Sequence, residues 1–159
     1  MTLAKTYQQY KEEKQAEFNA LPIFFAFSNE QLYEEMKKHG LRKTDTDKLL
    51  RVGDTGGFFL KKDAPQIHEW LNRRDELEDL MKDPEFAESA FYYEMGNHEY
   101  HINLQADWDV CGCFGNCEYE YGKSYRDYLK EEGYGEPVVE AFAAAKQRFL
   151  ADANTNGWY

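Results

Sequence analysis

Apolar side chains recur every three or four residues from Thr2 to Ala20, at Leu3, Tyr7, Tyr10, Phe18 and Leu21, with Lys14 interrupting the stripe. That spacing puts them on one side of a helix. Pro22 ends it, and Ile23 to Phe27 is a short unbroken apolar run, rich in rings, that suits the central strand of a sheet. Ser28 and Gln31 have capping-box spacing, so a second helix is expected from there to His39, closed by Gly40 in a left-handed turn. Leu49 to Val52 and Phe58 to Leu60 flank Gly53-Asp54-Thr55-Gly56-Gly57 and read as two strands joined by a glycine-containing turn. Asp63-Ala64-Pro65 opens a third helix, and apolar positions from Ile67 to Met81 carry it to Lys82.

Asp83-Pro84-Glu85 is a new helix start, with Phe86, Ala90, Phe91 and Met95 on its apolar face and Gly96-Asn97 at its end. His98 to Leu104 is expected to be extended. Asp107 can cap one turn, Trp108 to Cys111, which Gly112 closes. Gly115, Asn116 and Gly122 mark a loop, and Ser124 to Glu132 and Pro137 to Ala153 read as two last helices. No repeat, linker or boundary stands out. The expectation is a single α+β domain over 1–159, with a small antiparallel sheet of about three strands packed against several helices.

Composition changes the picture of the core. Twelve Tyr, 11 Phe and 3 Trp mean that rings, more than aliphatics, fill it. So many tyrosines cannot all be buried with satisfied hydroxyls, and several should stand half exposed. Charge changes the picture of the surface: the 19 basic and 30 acidic side chains give a net charge of −11. That balance argues against a direct grip on nucleic acid phosphate or an anionic membrane. The excess lies in the second half, where residues 81–159 hold 6 basic and 15 acidic side chains. Within 81–120 Lys82 stands alone against Asp83, Glu85, Glu88, Glu94, Glu99, Asp107, Asp109, Glu118 and Glu120. No long apolar run suggests a membrane span, the polar N-terminus does not read as a secretory signal, and three cysteines read as reduced thiols. A soluble, cytoplasmic protein is expected.

Few residues carry a chemical signature. His98, His101, Cys111, Cys113 and Cys117 hold the donor types of a zinc site, since zinc takes thiolate and imidazole at four positions. The Cys-x-Cys spacing is not that of a familiar knuckle, and small buried thiols flanking Gly112 are the plainer reading. The Cys-x2-Cys of exchange motifs is absent, which argues against a redox role, and on the plainer reading of the thiols no metal or other cofactor is expected. A Cys nucleophile with His98 or His101 as base would need a proximity that spacing cannot show. The glycine-rich turn at 53–57 lacks the lysine of a P-loop and does not open a helix.

Three stretches, Phe24-Phe25-Ala26-Phe27-Ser28-Asn29-Glu30-Gln31, Gly56-Gly57-Phe58-Phe59-Leu60-Lys61-Lys62 and Tyr93-Glu94-Met95-Gly96-Asn97-His98-Glu99-Tyr100, resemble a family of small acidic proteins from phages and other mobile elements of Firmicutes. The likeness runs over roughly residues 22–115, and Asn97 to Tyr100 is its most specific piece. It implies a mobile-element setting, supplies no catalytic residues, and makes Cys111 and Cys113 look like replacements for aliphatics. Joined to the acidic, ring-rich segment, it leads to the expectation of a non-enzymatic inhibitor of the anti-CRISPR or anti-defence type. Its partner would be a host protein with a basic nucleic-acid-binding groove. The contact residues expected are Glu85, Glu88, Glu94, Glu99, Asp107, Asp109, Glu118 and Glu120, with interleaved aromatics as anchors. The alternatives are a zinc-stabilised or metal-dependent enzyme domain on the His/Cys cluster, and a housekeeping adaptor of the element.

Overall fold

A computed structural model describes residues 5–73 and 75–158. It has the α+β class and the three-stranded antiparallel sheet that the sequence led us to expect. The chain divides into two compact units, one of residues 14–74 and one of residues 1–13 with 75–159. Helix α1 (Tyr7–Asn19) contributes to both. Among the described residues no helix is long and apolar enough to cross a membrane.

The unit 14–74 is built on the sheet. Strand β1 (Phe24–Phe25) precedes α2 (Asn29–Lys38), and β2 (Leu49–Val52) and β3 (Gly57–Leu60) form a hairpin. Helix α3 (Ala64–Asn72) follows. The strand order is β1-β3-β2, which corrects the placing of Ile23 to Phe27 at the centre. β3 is central because it pairs on both edges, with Leu49 opposite Leu60 on one side and Phe24 opposite Phe58 on the other. The Phe24 ring lies between its neighbours, stacked 6.0 Å from Phe58 and 5.0 Å from His39. Gly56 turns the chain at φ +78°, and a Cβ there would stand 2.6 Å from a ring carbon of Phe27. Half of the expected capping box forms: Ser28 Oγ accepts from Gln31 N–H at 3.2 Å, while Gln31 Oε1 accepts from Phe27 N–H at 2.8 Å. Gly40 takes the left-handed conformation that closes α2.

The buried charge of this unit is Asp45, whose carboxylate accepts from Arg42 N–H at 2.8 Å and pairs with Arg42 and Lys48 at 3.3 Å. The Arg42 backbone N–H, and after it the guanidinium, hold its carboxyl at about 2, below the ordinary value of 3.8.

The other unit is helical: α4 (Leu77–Leu80), α5 (Pro84–Asn97), α6 (Ala106–Gly112), α7 (Tyr125–Glu131) and α8 (Glu136–Asn156). The long helix expected from Asp63 to Lys82 is two helices. Asp75 causes the restart, because its carboxylate accepts from Leu77 N–H at 2.9 Å and offers the backbone a cap in place of continued helix. His98 to Leu104 is a run of turns, not an extended segment: Glu99 C=O accepts from Ile102 N–H at 2.9 Å and Asn103 N–H at 3.1 Å. Asp107 lies inside the first turn of α6 and does not cap it. The core is aromatic as expected. Phe142 on α8 meets Phe91 of α5 at 4.9 Å and stacks on Tyr125 of α7 at 4.3 Å, and Tyr92 meets Phe149 edge-on at 5.5 Å.

Two predictions follow from these cores. Phe142 is fully buried between three helices, so Phe142→Ala should cost about 3–5 kcal/mol in denaturant unfolding. Asp45 has a depressed folded-state value, so its contribution is present above about pH 4 and lost as pH falls through about 2. Asp45→Asn should therefore lower stability at neutral pH and flatten the loss of stability between pH 4 and pH 2.

Candidate functional site

The eight acids expected to face a partner separate into three groups. Glu85, Glu99, Glu118 and Glu120 are exposed. Glu88, Asp107 and Asp109 are half-buried and serve internal bonds. Glu88 accepts from Arg148 at 3.1 Å, Asp109 from Asn103 Nδ2 at 2.6 Å, and Asp107 from the Tyr100 hydroxyl and from Tyr125 N–H at 2.9 Å. Glu94 is only 4% exposed and does not belong to the surface set.

Exposed acids have aromatic neighbours in two places: Glu99 shares a cavity with Tyr92, Tyr93 and Trp158, and Glu120 lies among rings near α6. Leu104, Trp108, Tyr119, Glu120 and Tyr121 line a cleft of about 380 Å³ between the start of α6 and the loop before α7. Tyr121 is 92% exposed, and Trp108 packs edge-on against Tyr119 at 5.5 Å while donating its indole N–H to Cys117 C=O at 3.0 Å.

Glu94 is part of a second constellation, at the C-terminal end of α5. Glu94, Asn97 and His98 follow one another at i, i+3 and i+4 and so project to one side. The helix stops in a Schellman turn: Tyr100 N–H reaches Met95 C=O at 3.0 Å, Glu99 N–H reaches Gly96 C=O at 3.4 Å, and Glu99 has φ +49°. This turn fixes His98 as the C-cap, as the Asn97 stop signal led us to expect. Tyr7 of α1 donates its hydroxyl to Glu94 Oε1 at 2.6 Å, and Asn97 Nδ2 donates to Oε2 at 3.0 Å. Lys11 Nζ lies 3.9 Å from Oε1. Burial, and then the bond to Glu94, raise the Tyr7 phenol, so it stays a donor.

His98 Nε2 lies 3.8 Å from Glu94 Oε2 and 3.4 Å from Cys113 Sγ, the residue that caps α6. Glu94, His98 and Cys113 each bring a donor atom within 4.8 Å of the other two. The remaining members of the sequence-based set are elsewhere. His101 Nε2 is 2.9 Å from Trp158 C=O, Cys111 is buried in the core, and Cys117 lies in the loop after α6 beside Gly112. Cys111 matches the expected small apolar substitute; Cys113 does not, because its half-buried sulfur faces an imidazole and a carboxylate.

This trio is not arranged as a nucleophilic relay. In such a relay the base takes the thiol proton on one ring nitrogen and is oriented through the other. Here sulfur and carboxylate both face Nε2. Burial and the Glu94 charge push the Cys113 thiol up to about 11, the opposite of an activated thiolate. Glu94 itself was hidden among 30 acids. The signal that could have found it is its position, one helical turn past Ala90 and one before His98, on the face that carries Phe86, Phe91 and Met95.

The two kinds of acid should respond differently to substitution. Tyr7→Phe leaves a buried carboxylate short of a donor and should cost about 1–3 kcal/mol in chemical unfolding. Glu118→Lys, on an exposed loop position, should change stability by no more than about 0.5 kcal/mol.

No curated protein sequence and no solved structure matches the chain. Residues 6–131, most of both units described above, match DUF7659, a family of unknown function, and the chain belongs to that family.

Proposed function

We propose that this is a non-enzymatic binding protein that acts in the cytoplasm as an inhibitor of the anti-defence type, occupying a basic nucleic-acid-binding surface of a host protein. The observation that carries the reading is how charge divides between the two units. The unit of residues 1–13 and 75–159 holds 8 basic and 21 acidic side chains, a net of −13, whereas residues 14–74 hold 11 and 9, a net of +2. A body with that excess attracts a cationic surface over distances on the order of the Debye length, about 8–10 Å in physiological salt.

Charge alone gives attraction without a footprint. The cleft lined by Leu104, Trp108, Tyr119, Glu120 and Tyr121 supports one, because it sets exposed rings beside the Glu120 carboxylate, which a partner's cation would share with Lys123 of the same cleft. Rings that lose water on docking give the anchoring that a carboxylate face lacks, and the carboxylates meet the Lys and Arg side chains that otherwise hold phosphate. The mobile-element setting implied by the resemblance at 24–31, 56–62 and 93–100 agrees with such a role.

The test uses tagged full-length protein in nuclease-treated lysate of a Firmicutes host, washed at low and high salt. The expected result is capture of a nucleic-acid-binding protein that high salt releases and that DNA or RNA displaces in competition. The fourfold variant Glu85→Lys, Glu99→Lys, Glu118→Lys, Glu120→Lys should fold normally and lose at least about tenfold in affinity for that protein. Capture that resists salt and nucleic acid, or that survives the fourfold reversal unchanged, would overturn the reading.

A further inference from the structure

We propose that Glu94, His98 and Cys113 form a site for a borderline-soft divalent cation, zinc first among them, with one coordination position left to water or an exogenous donor. The set differs from the one that cysteine and histidine spacing suggests. It excludes His101, Cys111 and Cys117, and it includes a carboxylate that spacing does not single out.

Geometry is the first ground. A tetrahedral zinc ion with a Zn–S bond near 2.3 Å and Zn–N and Zn–O bonds near 2.0–2.2 Å sets its ligand atoms about 3.3–3.6 Å apart. Cys113 Sγ and His98 Nε2 are 3.4 Å apart, His98 Nε2 and Glu94 Oε2 are 3.8 Å apart, and no pair of the three exceeds 4.8 Å. Shifts of a few tenths of an ångström bring the first two pairs to those spacings, and closing the third by up to about 1.2 Å, a side-chain torsion's reach, puts the donors on three corners of one tetrahedron. Convergence of sulfur and carboxylate on the same ring nitrogen, which spoils a proton relay, is what a shared ion requires.

The surroundings are the second ground. A metal-bound carboxylate is normally held by donors of its own. Tyr7 occupies Oε1 and Asn97 bonds to Oε2, so the Glu94 carboxylate is fixed before any ion arrives. Cys113 is tied to the end of α6, where its Sγ lies 3.4 Å from Asp109 C=O. His98 ends α5 and Cys113 ends α6, so both helices turn their carbonyl ends, the negative ends of their dipoles, toward the site. Among the described residues the cation recorded near Glu94 is Lys11, at 3.9 Å and half exposed. A dication with one carboxylate, one thiolate and one neutral imidazole makes a neutral cluster and removes the cost of a buried, loosely paired charge.

The donors choose the metal class. Sulfur and imidazole disfavour calcium and magnesium, which take oxygen ligands, and a compact mixed S, N, O set suits zinc or cobalt(II). Three protein ligands leave the fourth position open, and His98 keeps about a third of its side chain accessible, so solvent can reach the ion. The site stands whether or not the acidic unit docks a partner.

The experiment is titration of chelator-treated full-length protein with cobalt(II) and zinc chloride under reducing conditions. One equivalent of cobalt(II) should give an intense sulfur-to-metal charge-transfer band, which one equivalent of zinc abolishes by replacement. Cys113→Ser should remove the band and weaken zinc by more than about 100-fold, because even outer partners of metal ligands are worth about 10–100-fold. Asn97→Ala should weaken zinc within that 10–100-fold range, whereas Cys117→Ser should leave band and affinity unchanged. The circular dichroism and melting of each metal-free variant, compared with metal-free wild type, separate loss of a ligand from loss of fold. Where Cys113→Ser melts early, His98→Gln supplies the second ligand deletion. No charge-transfer band with wild type, or a band that persists in Cys113→Ser, overturns the proposal.

Discussion

Glu94 stands in the middle of the buried arc of α5, and a carboxylate removed from water must be met by donors or by a cation. At 100° per residue the buried positions Phe86, Ala90, Glu94, Ala87, Phe91 and Met95 cover about half the circumference, with Glu94 near its centre. Much of the helical unit answers that one demand. Tyr7 brings the start of α1 to the helix, and its ring meets Phe86, Tyr93 and Phe114 edge-on at 5.4–6.0 Å while its hydroxyl holds Oε1. Asn97 spends its amide on Oε2, and the Schellman turn behind it aims His98 at the same carboxylate. Removing the carboxylate would leave the Tyr7 hydroxyl and the Asn97 amide without their acceptor.

The elements legible in the sequence were those written by local chemistry. Ser28 capping α2, Pro84 opening α5, Gly40 closing α2 and the glycines between β2 and β3 act within a few residues, and they stand where the pattern put them. What failed was settled by pairings that apolar spacing does not show. Ile23 to Phe27 looks like a central strand because it is apolar throughout. Phe24 is buried, but Phe25 is largely exposed, and the hairpin partner of β2 holds the middle instead. The break between α3 and α4 was hidden because Asp75 is an ordinary helix-surface residue until its carboxylate turns to Leu77 N–H and the Tyr10 hydroxyl.

The candidate metal site was half legible for a related reason. Cys-x-Cys was read as a pair, yet two residues apart on a helical turn are about 200° apart, so Cys111 enters the core while Cys113 faces His98. Of the two histidines that the sequence offers as donors, the structure brings His98 beside Cys113, and His101 was grouped with it because Asn-His-Glu-Tyr-His is dense in ligand types. The Schellman turn separates them. Glu94 could have been found by asking which acid falls inside an apolar arc, a question about position that a count of 30 acids conceals.

The charge of the helical unit has the same logic at larger scale. Its cations are nearly all engaged: Lys5 with Glu13 and Glu76, Lys123 with Glu120 and Glu131, Arg126 with Glu136 and Glu140, Arg148 with Glu88 and over the Tyr92 ring, and Lys146 over Tyr100 and Tyr125. Pairing inside the unit cannot lower a net of −13, because each pair uses one charge of each sign. The surplus carboxylates must be balanced by mobile counterions or by cations that another molecule brings. Mobile ions regain entropy when a fixed cationic surface takes their place, and that gain shrinks as bulk salt rises. A unit that has spent its own cations on internal contacts is therefore one whose free energy falls on meeting a basic surface, and falls most in dilute salt.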